Sequence, residues 1–453
     1  MNNPKITVYI SSFNYGKYLQ EAINSVLKQS ADCWELLLIN DNSSDNTDEL
    51  MNLYSGDKRV KIFTTKGIGL PAVANLAVKH SQGEYIIRLD ADDIFDENIL
   101  LVLQNHMDRN PEVALVFPDY YLMDDAYGII MHERRDALYD NNHVLDIPAN
   151  GACTMIRKSV LEKIGGYRED LGAQDGFDIW TRITKEHKCS NINLPLFYYR
   201  RHGANLTENN QRILSARRTI KKDAISALLD SFRPIISVIP CRKNYDVYPD
   251  LWSLDIDGQT LLDIAIQTNI KSSLFDKIII TCDNEDVKKI IKKYDDKRLQ
   301  FVLRDSKNTI PSSNIVPALE NVVKQLGIGW NGISFLSYIQ APFTTVDTIE
   351  ESISTLLLND ADSSFAVEEV ECSLFKRSSN GLLPINHFGK FRSDFNVIYS
   401  DARTALATKN SNLRTGSITG SKIVNFVVHK DENFYIHSKK DIEILKLLWK
   451  LKK

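Results

Sequence analysis

What this chain lacks narrows its function first. No run approaches the ~18 consecutive apolar residues of a membrane-spanning helix. The opening Met1-Asn-Asn-Pro-Lys5 leads straight into a strand-like run, with no apolar signal-peptide core. Positive charge is not in excess: 55 Lys+Arg stand against 59 Asp+Glu, a net −4, so no basic field gathers nucleic acid. Six cysteines (Cys33, Cys153, Cys189, Cys241, Cys282 and Cys372) lie far apart without a C-x-x-C spacing, which argues against zinc sites and a disulfide framework. Low-complexity segments are missing too. What remains is 453 residues, 43% hydrophobic and 25% charged. That composition reads as a soluble, cytoplasmic chain of two or three domains at about 150 residues each.

Strand-like and helix-like runs alternate from the start: Ile6–Ile10, Lys17–Gln29, Glu35–Ile39, Asn46–Tyr54, Val60–Phe63, Pro71–His80 and Tyr85–Leu89. Such alternation predicts a parallel α/β sheet. Arg212–Leu229 reads as one helix, broken at Ser231-Phe-Arg-Pro234. A second alternation follows: Ile235–Ile239, Lys277–Thr281, Glu285–Tyr294, Gln300–Leu303, Ser313–Gln325, Ile333–Ile339 and Val346–Leu358. The domain boundary is therefore expected near residue 232, giving domains 1–232 and 233–453, each a Rossmann-like α/β fold.

The densest acidic site is Asp90-Ala-Asp-Asp93, directly after a strand. Open α/β sheets bind ligands beyond the carboxyl ends of their strands, and carboxylates gathered there are costly without a positive partner. A Mg²⁺ or Mn²⁺ ion bridging a diphosphate suits them. A solvated acidic turn capping the next helix is the plainer alternative. Two more strand ends reach the same edge, Ser11-Ser-Phe13-Asn14 and Asn40-Asp41-Asn-Ser-Ser-Asp45. A carboxylate at Asp41 accepts from uracil N3–H, which cytosine lacks, so it favours a uridine nucleotide; an Asx turn or cap is its alternative, and Asp45 suits that better.

These residues resemble family 2 glycosyltransferases, inverting enzymes of the GT-A fold. The likeness spans about residues 4–210 and adds Gly83-Glu-Tyr-Ile, Gly151-Ala, Gly165-Gly-Tyr and Gln174-Asp-Gly-Phe-Asp-Ile-Trp180 in the family's order. The resemblance implies a nucleotide site at Ser11, Phe13, Asn14, Asp41 and Asp90, and a divalent cation, Mn²⁺ or Mg²⁺, at Asp92, Asp93 and His202. It further implies a catalytic base at Asp175, with Gly151, Asp178 and Trp180 as acceptor or support residues. The chain departs from the family at Gln174, usually Glu, at Asn40, usually Asp, and at Ala74, usually Arg. For Asp175 a plain helix N-terminal carboxylate is the alternative, and for His202 a structural or acceptor contact. Gly67-Ile-Gly-Leu-Pro-Ala72 fits a dinucleotide fingerprint but lies in the third β–α connection, and Pro71 suits a first helical turn without any ligand.

The second half is similar, over about residues 234–450, to cytidylyltransferases that activate sialic and other ulosonic acids as CMP-sugars. Phe275–Asp283 and the turn at Gly258 carry the likeness best. Arg242 and Asn244 match its nucleotide loop. Tyr245 and Asp246 stand where that family places Ser-Lys, Leu251 replaces a second lysine, and Tyr435 and His437 replace two metal carboxylates. These losses imply a domain that keeps the fold but has lost or altered nucleotidyl transfer, serving dimerisation, acceptor binding or regulation. The C-terminal Lys439–Lys453 is basic and amphipathic. It could pack on the sheet through Ile442, Leu445, Leu448 and Trp449, or lie on an anionic membrane surface.

The expectation is thus a cation-dependent inverting transferase, using a UDP-sugar and a glycan or lipid-linked glycan acceptor in bacterial surface polysaccharide synthesis. The alternatives are a bifunctional enzyme that also makes a CMP-activated acidic sugar, and a nucleotide- or glycan-binding protein without turnover.

Overall fold

The structure, a computed structural model, describes residues 3–134, 151–203, 210–305, 315–370, 372–379, 381–385 and 398–452. Two units emerge: Met1–Ile220 with Ser373–Asn396, and Lys221–Cys372 with Val397–Lys453.

The first unit holds strands β1 (Ile6–Ser12), β2 (Trp34–Asn40), β3 (Val60–Thr64), β4 (Tyr85–Asp90), β5 (Ile94–Phe95), β6 (Val113–Asp124), β7 (Ile129–Glu133), β8 (Met155–Arg157) and β9 (Lys188–Arg201). Its helices are α1 (Gly16–Leu27), α2 (Thr47–Asn52), α3 (Leu70–His80), α4 (Ile99–Arg109), α5 (Lys158–Lys163) and α6 (Asp175–Thr184), followed by α7 (Asn210–Ile225). The sheet runs β3-β2-β1-β4-β8-β6-β9-β5, with β7 on β6. β1 and β2 are near-continuous apolar runs because helices cover both faces of the parallel part. Ile6, Val8 and Ile10 pack into one core with α1 and α4, whereas Tyr9, Leu37 and Ile86 join α3 and α6 on the other face. The chain moves outward from β1 to β3, then returns to β4 on the other side of β1. That reversal opens a crevice beyond their carboxyl ends, where Ser11 lies beside Asp90 in register.

The parallel part follows the sequence expectation within a residue or two. The mixed part, β6 to β9, was not anticipated: β7 and β8 pair antiparallel with β6 and β9 pairs parallel with it, and register shifts in the long strands interrupt a regular apolar pattern.

The second unit contains β10 (Ile235–Pro240), β11 (Asp255–Ile256), β12 (Gln259–Thr260), β13 (Lys277–Cys282), β14 (Leu299–Leu303), β15 (Ile333–Leu336) and β16 (Ser363–Glu369). A ribbon, β17 (Phe375–Ser378) and β18 (Gly381–Pro384), groups with the first unit, and β19 (Tyr399–Lys409) and β20 (Ile423–Val427) complete the sheet. Its order is β14-β13-β10-β15-β19-β16-β20. The helices are α8 (Leu261–Lys271), α9 (Val287–Ile291), α10 (Val316–Gln325), α11 (Val346–Leu358), α12 (Asn410–Leu413) and α13 (Lys439–Leu451). The expected start of α10 at Ser313 lies outside the described residues.

The units divide inside α7, at Ile220 and Lys221, rather than near residue 232. Packing explains the shift. Ile225 is fully buried in the second core, with Leu229 and Phe232 against it. Lys221 Nζ lies 3.2 Å from Glu351 Oε1 and 3.1 Å from Thr355 Oγ1 on α11.

Candidate active site

The polar residues beyond β1, β2 and β4 fall into two interlocked groups. In the first, loops brace one another. Asn14, in a left-handed conformation (φ 62°), accepts from the Ser44 amide at 2.7 Å, while its own amide donates to Ser43 Oγ at 3.0 Å. Asp45 accepts from the Gly16 amide at 2.8 Å, from Thr47 Oγ1 at 2.6 Å and from the Thr47 amide at 3.1 Å, an Asx turn; the N-cap of α2 is Asn46. Phe13 stands exposed on the rim. Asp41 accepts from Thr65 Oγ1 at 2.5 Å and from the Ile68 and Gly69 amides at 2.8 Å each. Burial pushes its carboxyl up, but these hydrogen bonds outweigh it and hold the group below the usual carboxylate range. Gly67 and Gly69 have positive φ (78° and 87°), which glycine adopts without strain. The fingerprint-like loop therefore turns its amides toward Asp41, so a carboxylate of the chain occupies donors that a phosphate would use.

The second group surrounds the acidic turn. Asp92 Oδ2 lies 3.0 Å from His202 Nε2, at the end of β9. Tyr18 stacks on the imidazole (centroids 5.1 Å apart) and Tyr15 meets it edge-on. Burial, then the neighbouring Asp92 and Asp90 charges, push the Tyr15 hydroxyl up to about 12. Arg200, 2% exposed, donates from its side chain to the Asp92 carbonyl at 2.9 Å and pairs with Glu21 at 2.6 Å, while its amide donates to Asp93 Oδ1 at 2.8 Å. Asp93 is thus turned into the turn's interior, 1% exposed, and its Oδ2 has no partner among the described residues. Burial, with the Asp92 and Asp90 charges, raises its carboxyl well above the usual range. The expectation puts Asp93 beside Asp92 at an ion; here its Oδ1 is taken by the Arg200 amide in the interior of the turn. Among the described residues no three acidic, histidine or cysteine side chains enclose a metal-sized space. A carboxylate and an imidazole side by side still suit a divalent ion whose remaining ligands are diphosphate oxygens and water.

Asp175 opens α6, after Gln174 in a left-handed conformation (φ 64°). Its partner is Arg88, which the sequence reading missed. The guanidinium is buried in β4, donates from Nη1 to Asp175 Oδ2 at 2.5 Å, and places Nε 3.0 Å from Asp90 Oδ1. Burial pushes the Asp90 carboxyl up to about 6; Arg88 opposes that, while the Asp92 and Asp175 charges reinforce it. A signal for Arg88 was present. Within Tyr85-Ile-Ile-Arg-Leu-Asp90 it shares the face of Ile86, which α6 covers. A charge there needs a buried partner.

Gly151 touches this pair: a Cβ on it would sit 2.9 Å from Arg88 Nη2. Asp178 and Trp180 are supports. Asp178 accepts from Arg182 at 2.5 Å, and Arg182 donates to the carbonyls of Ile164 and Gly166, fixing the Gly165-Gly-Tyr turn. Trp180 is buried edge-on to Phe117 (centroids 5.7 Å apart) and lines a small pocket with Arg88, Gly151, Tyr167 and Asp175.

In the second unit, Asn244 is exposed and Arg242 lies over the Tyr245 ring (4.8 Å), with Asp246 3.7 Å away. Tyr245 packs on the core, and the Tyr435 ring lies tilted against His437 (centroids 4.7 Å apart). Ile442 and Leu445 of α13 are buried, and Leu448 and Trp449 pack against the same core. Among the described residues no helix is long and apolar enough to cross a membrane.

Comparison with known proteins identifies both units by class. Residues 7–165 match the family model "Glycosyl transferase family 2", and residues 253–415 match "Cytidylyltransferase". The chain therefore carries a family 2 glycosyltransferase domain followed by a cytidylyltransferase-family domain, each of mixed α/β architecture. An uncharacterized glycosyltransferase of Rickettsia conorii is 38% identical over 212 residues, covering 46% of this chain and 34% of the relative. Chondroitin synthase of Pasteurella multocida is 24% identical over 227 residues, covering 46% of this chain and 22% of the relative. The chain thus spans about a third or less of the length of these two relatives. The crystal structure of Staphylococcus aureus TarS 1-349 in complex with UDP-GlcNAc matches 49% of this chain and 67% of its own, at 17% identity and a TM-score of 0.42. That likeness is too loose to place a residue or ligand.

Proposed function

We propose that the first unit is a divalent-cation-dependent inverting glycosyltransferase, moving a sugar from a UDP donor to a glycan hydroxyl in polysaccharide synthesis. The observation that carries this reading is the meeting of Asp90 and Asp175 on one buried guanidinium, at the strand ends that also present the Asp92–His202 pair. Asp41 Oδ2, with one hydrogen bond from the chain, keeps a lone pair for uracil N3–H. Asp175 takes the acceptor hydroxyl's proton while that oxygen attacks the anomeric carbon opposite the diphosphate. A single displacement inverts the centre, so no nucleophilic side chain is required. Asp92 and His202 would hold the ion, whose charge offsets that building on the departing diphosphate.

For the second unit we propose a binding or assembly role without nucleotidyl transfer. Tyr245 is committed to the core, Asp246 neutralises part of Arg242, and Tyr435 and His437 offer no carboxylate for an ion. Dimerisation, acceptor recognition and regulation are the roles left to it. A membrane contact by α13 would have to use Ile444, Leu447 and Leu451, its exposed apolar residues, because its other apolar face is packed.

Calorimetric titration with UDP, with and without Mn²⁺, tests the transferase reading. UDP binds the wild type more tightly with Mn²⁺, and Asp92→Ala removes that gain. Failure of UDP, GDP and TDP alike to bind the wild type overturns it.

A further inference from the structure

We infer that Arg88 is a positioning residue for Asp175, fixing one carboxylate oxygen so that the other is presented to the acceptor hydroxyl. The inference rests on Asp175 being the base and adds what aims it. The hydrogen-bonding is one-sided: Oδ2 receives Nη1 at 2.5 Å, while Oδ1 accepts no hydrogen bond among the described residues. A general base works only with its free lone pair aimed at the proton, and a misplacement of about 1 Å costs on the order of 100-fold in rate.

Arg88 can set that aim because it is itself immobilised. It sits in a central strand, 8% exposed, with Ile87 and Leu89 anchored in the core on the opposite face. Its Nε side meets Asp90 at 3.0 Å, and its Nη2 edge faces Gly151. Glycines let the chain close over it: a Cβ on Gly151 would strike Nη2 at 2.9 Å, and one on Gly176 would come within 3.4 Å of the Gly151 Cα. The planar guanidinium directs one hydrogen bond from Nη1 to Asp175 while its Nε side stands at ion-pair distance from Asp90, a division that a single ammonium does not fix. One guanidinium against two carboxylates also leaves the cluster negative, so Asp175 is oriented without being fully neutralised. Tyr9 and Tyr167 are the other titratable groups felt by Arg88.

The test follows UDP release from UDP-glucose, UDP-galactose and UDP-GlcNAc, with parallel UDP titrations. Arg88→Gln lowers kcat by about 100-fold, more than it raises the donor KM, and Arg88→Lys restores only part of the loss. The Arg88→Gln, Asp175→Asn double variant falls no further than Asp175→Asn alone, because both act through one carboxylate. Gly151→Ala, which displaces Nη2, lowers kcat in the same direction and carries the test should Arg88→Gln not fold. Full kcat in Arg88→Gln or Arg88→Lys, or additive losses in the double variant, overturns the inference. Activity retained by Asp175→Asn refutes the base assignment instead, so the two failures are distinct.

Discussion

The two units share an α/β scaffold but differ in the side chains gathered at the carboxyl ends of their strands. In each, parallel strands end beside a reversal of strand order. The first unit fills that edge with Asp41, Asp90, Asp92, Asp93 and Asp175, against which Arg88, Arg200 and His202 are arrayed. The second gathers Arg242, Arg304 and Arg403 among tyrosines and the carboxylates of Asp246, Asp283 and Asp401, with Arg242 over Tyr245 and Arg403 over Tyr435. Burial pushes the Arg304 guanidinium down, opposed by the nearby Tyr245 and Asp283. An acidic edge reaches a diphosphate only through a cation, whereas a basic one can meet an anion directly. The scaffold sets where a ligand sits, and the loops set the sign of what is held.

The sharpest way to break the comparison is Asp175→Asn. The loss of a general base predicts a fall in kcat of about 10²–10⁴-fold, with UDP affinity in Mn²⁺ retained. Parallel loss of UDP binding would show that Asp175 belongs to the nucleotide site and not to proton transfer.

A middle-sized effect concerns the basic edge. With the first site disabled by Asp92→Ala, CMP or CTP bound by the second unit is indifferent to Mn²⁺ and Mg²⁺. Arg242→Ala then weakens that binding by about tenfold or more, the size of a lost charged hydrogen bond. Turnover of CTP with any ulosonic acid would erase the contrast between the units.

The smallest effect isolates packing in the second unit from its chemistry. Asp263 closes the capping box of α8 with Thr260 and also accepts from Tyr294 at 2.7 Å. Burial raises its carboxyl, but the Thr260 and Tyr294 hydrogen bonds outweigh that and hold it below the usual range. A carboxyl lowered by folding contributes stability above its unfolded value near 3.9, and the contribution disappears as pH falls through the lower folded value. Asp263→Ala should therefore cost about 1 kcal/mol near neutrality and flatten the acid limb of a denaturation series. An unchanged acid limb would mean that other carboxyls govern it.

The legible parts of this protein share a cause. Buried parallel strands read as apolar runs and their carboxyl ends as polar clusters, so β1, β2, β4, Asp90 and Asp92 could be placed from spacing alone. Turn chemistry is local, which is why Asp45 was readable as an Asx turn. Arg88 was not, because its two carboxylates come from different stretches of chain, 2 and 87 positions away. The direction of Asp93 was not legible, because neighbours in sequence at a turn need not face one way.

By itself the sequence determined two α/β domains and the acidic edge of the first, because residue type and local period carry that information; the missing carboxylates of the second are what its resemblance to cytidylyltransferases implies. Tertiary structure alone decided three things: that Asp93 turns inward, that α7 ends on the second core, and that Asp90 and Asp175 share one guanidinium. Each depends on which distant segment fills the neighbouring space, and burial makes that choice energetically decisive.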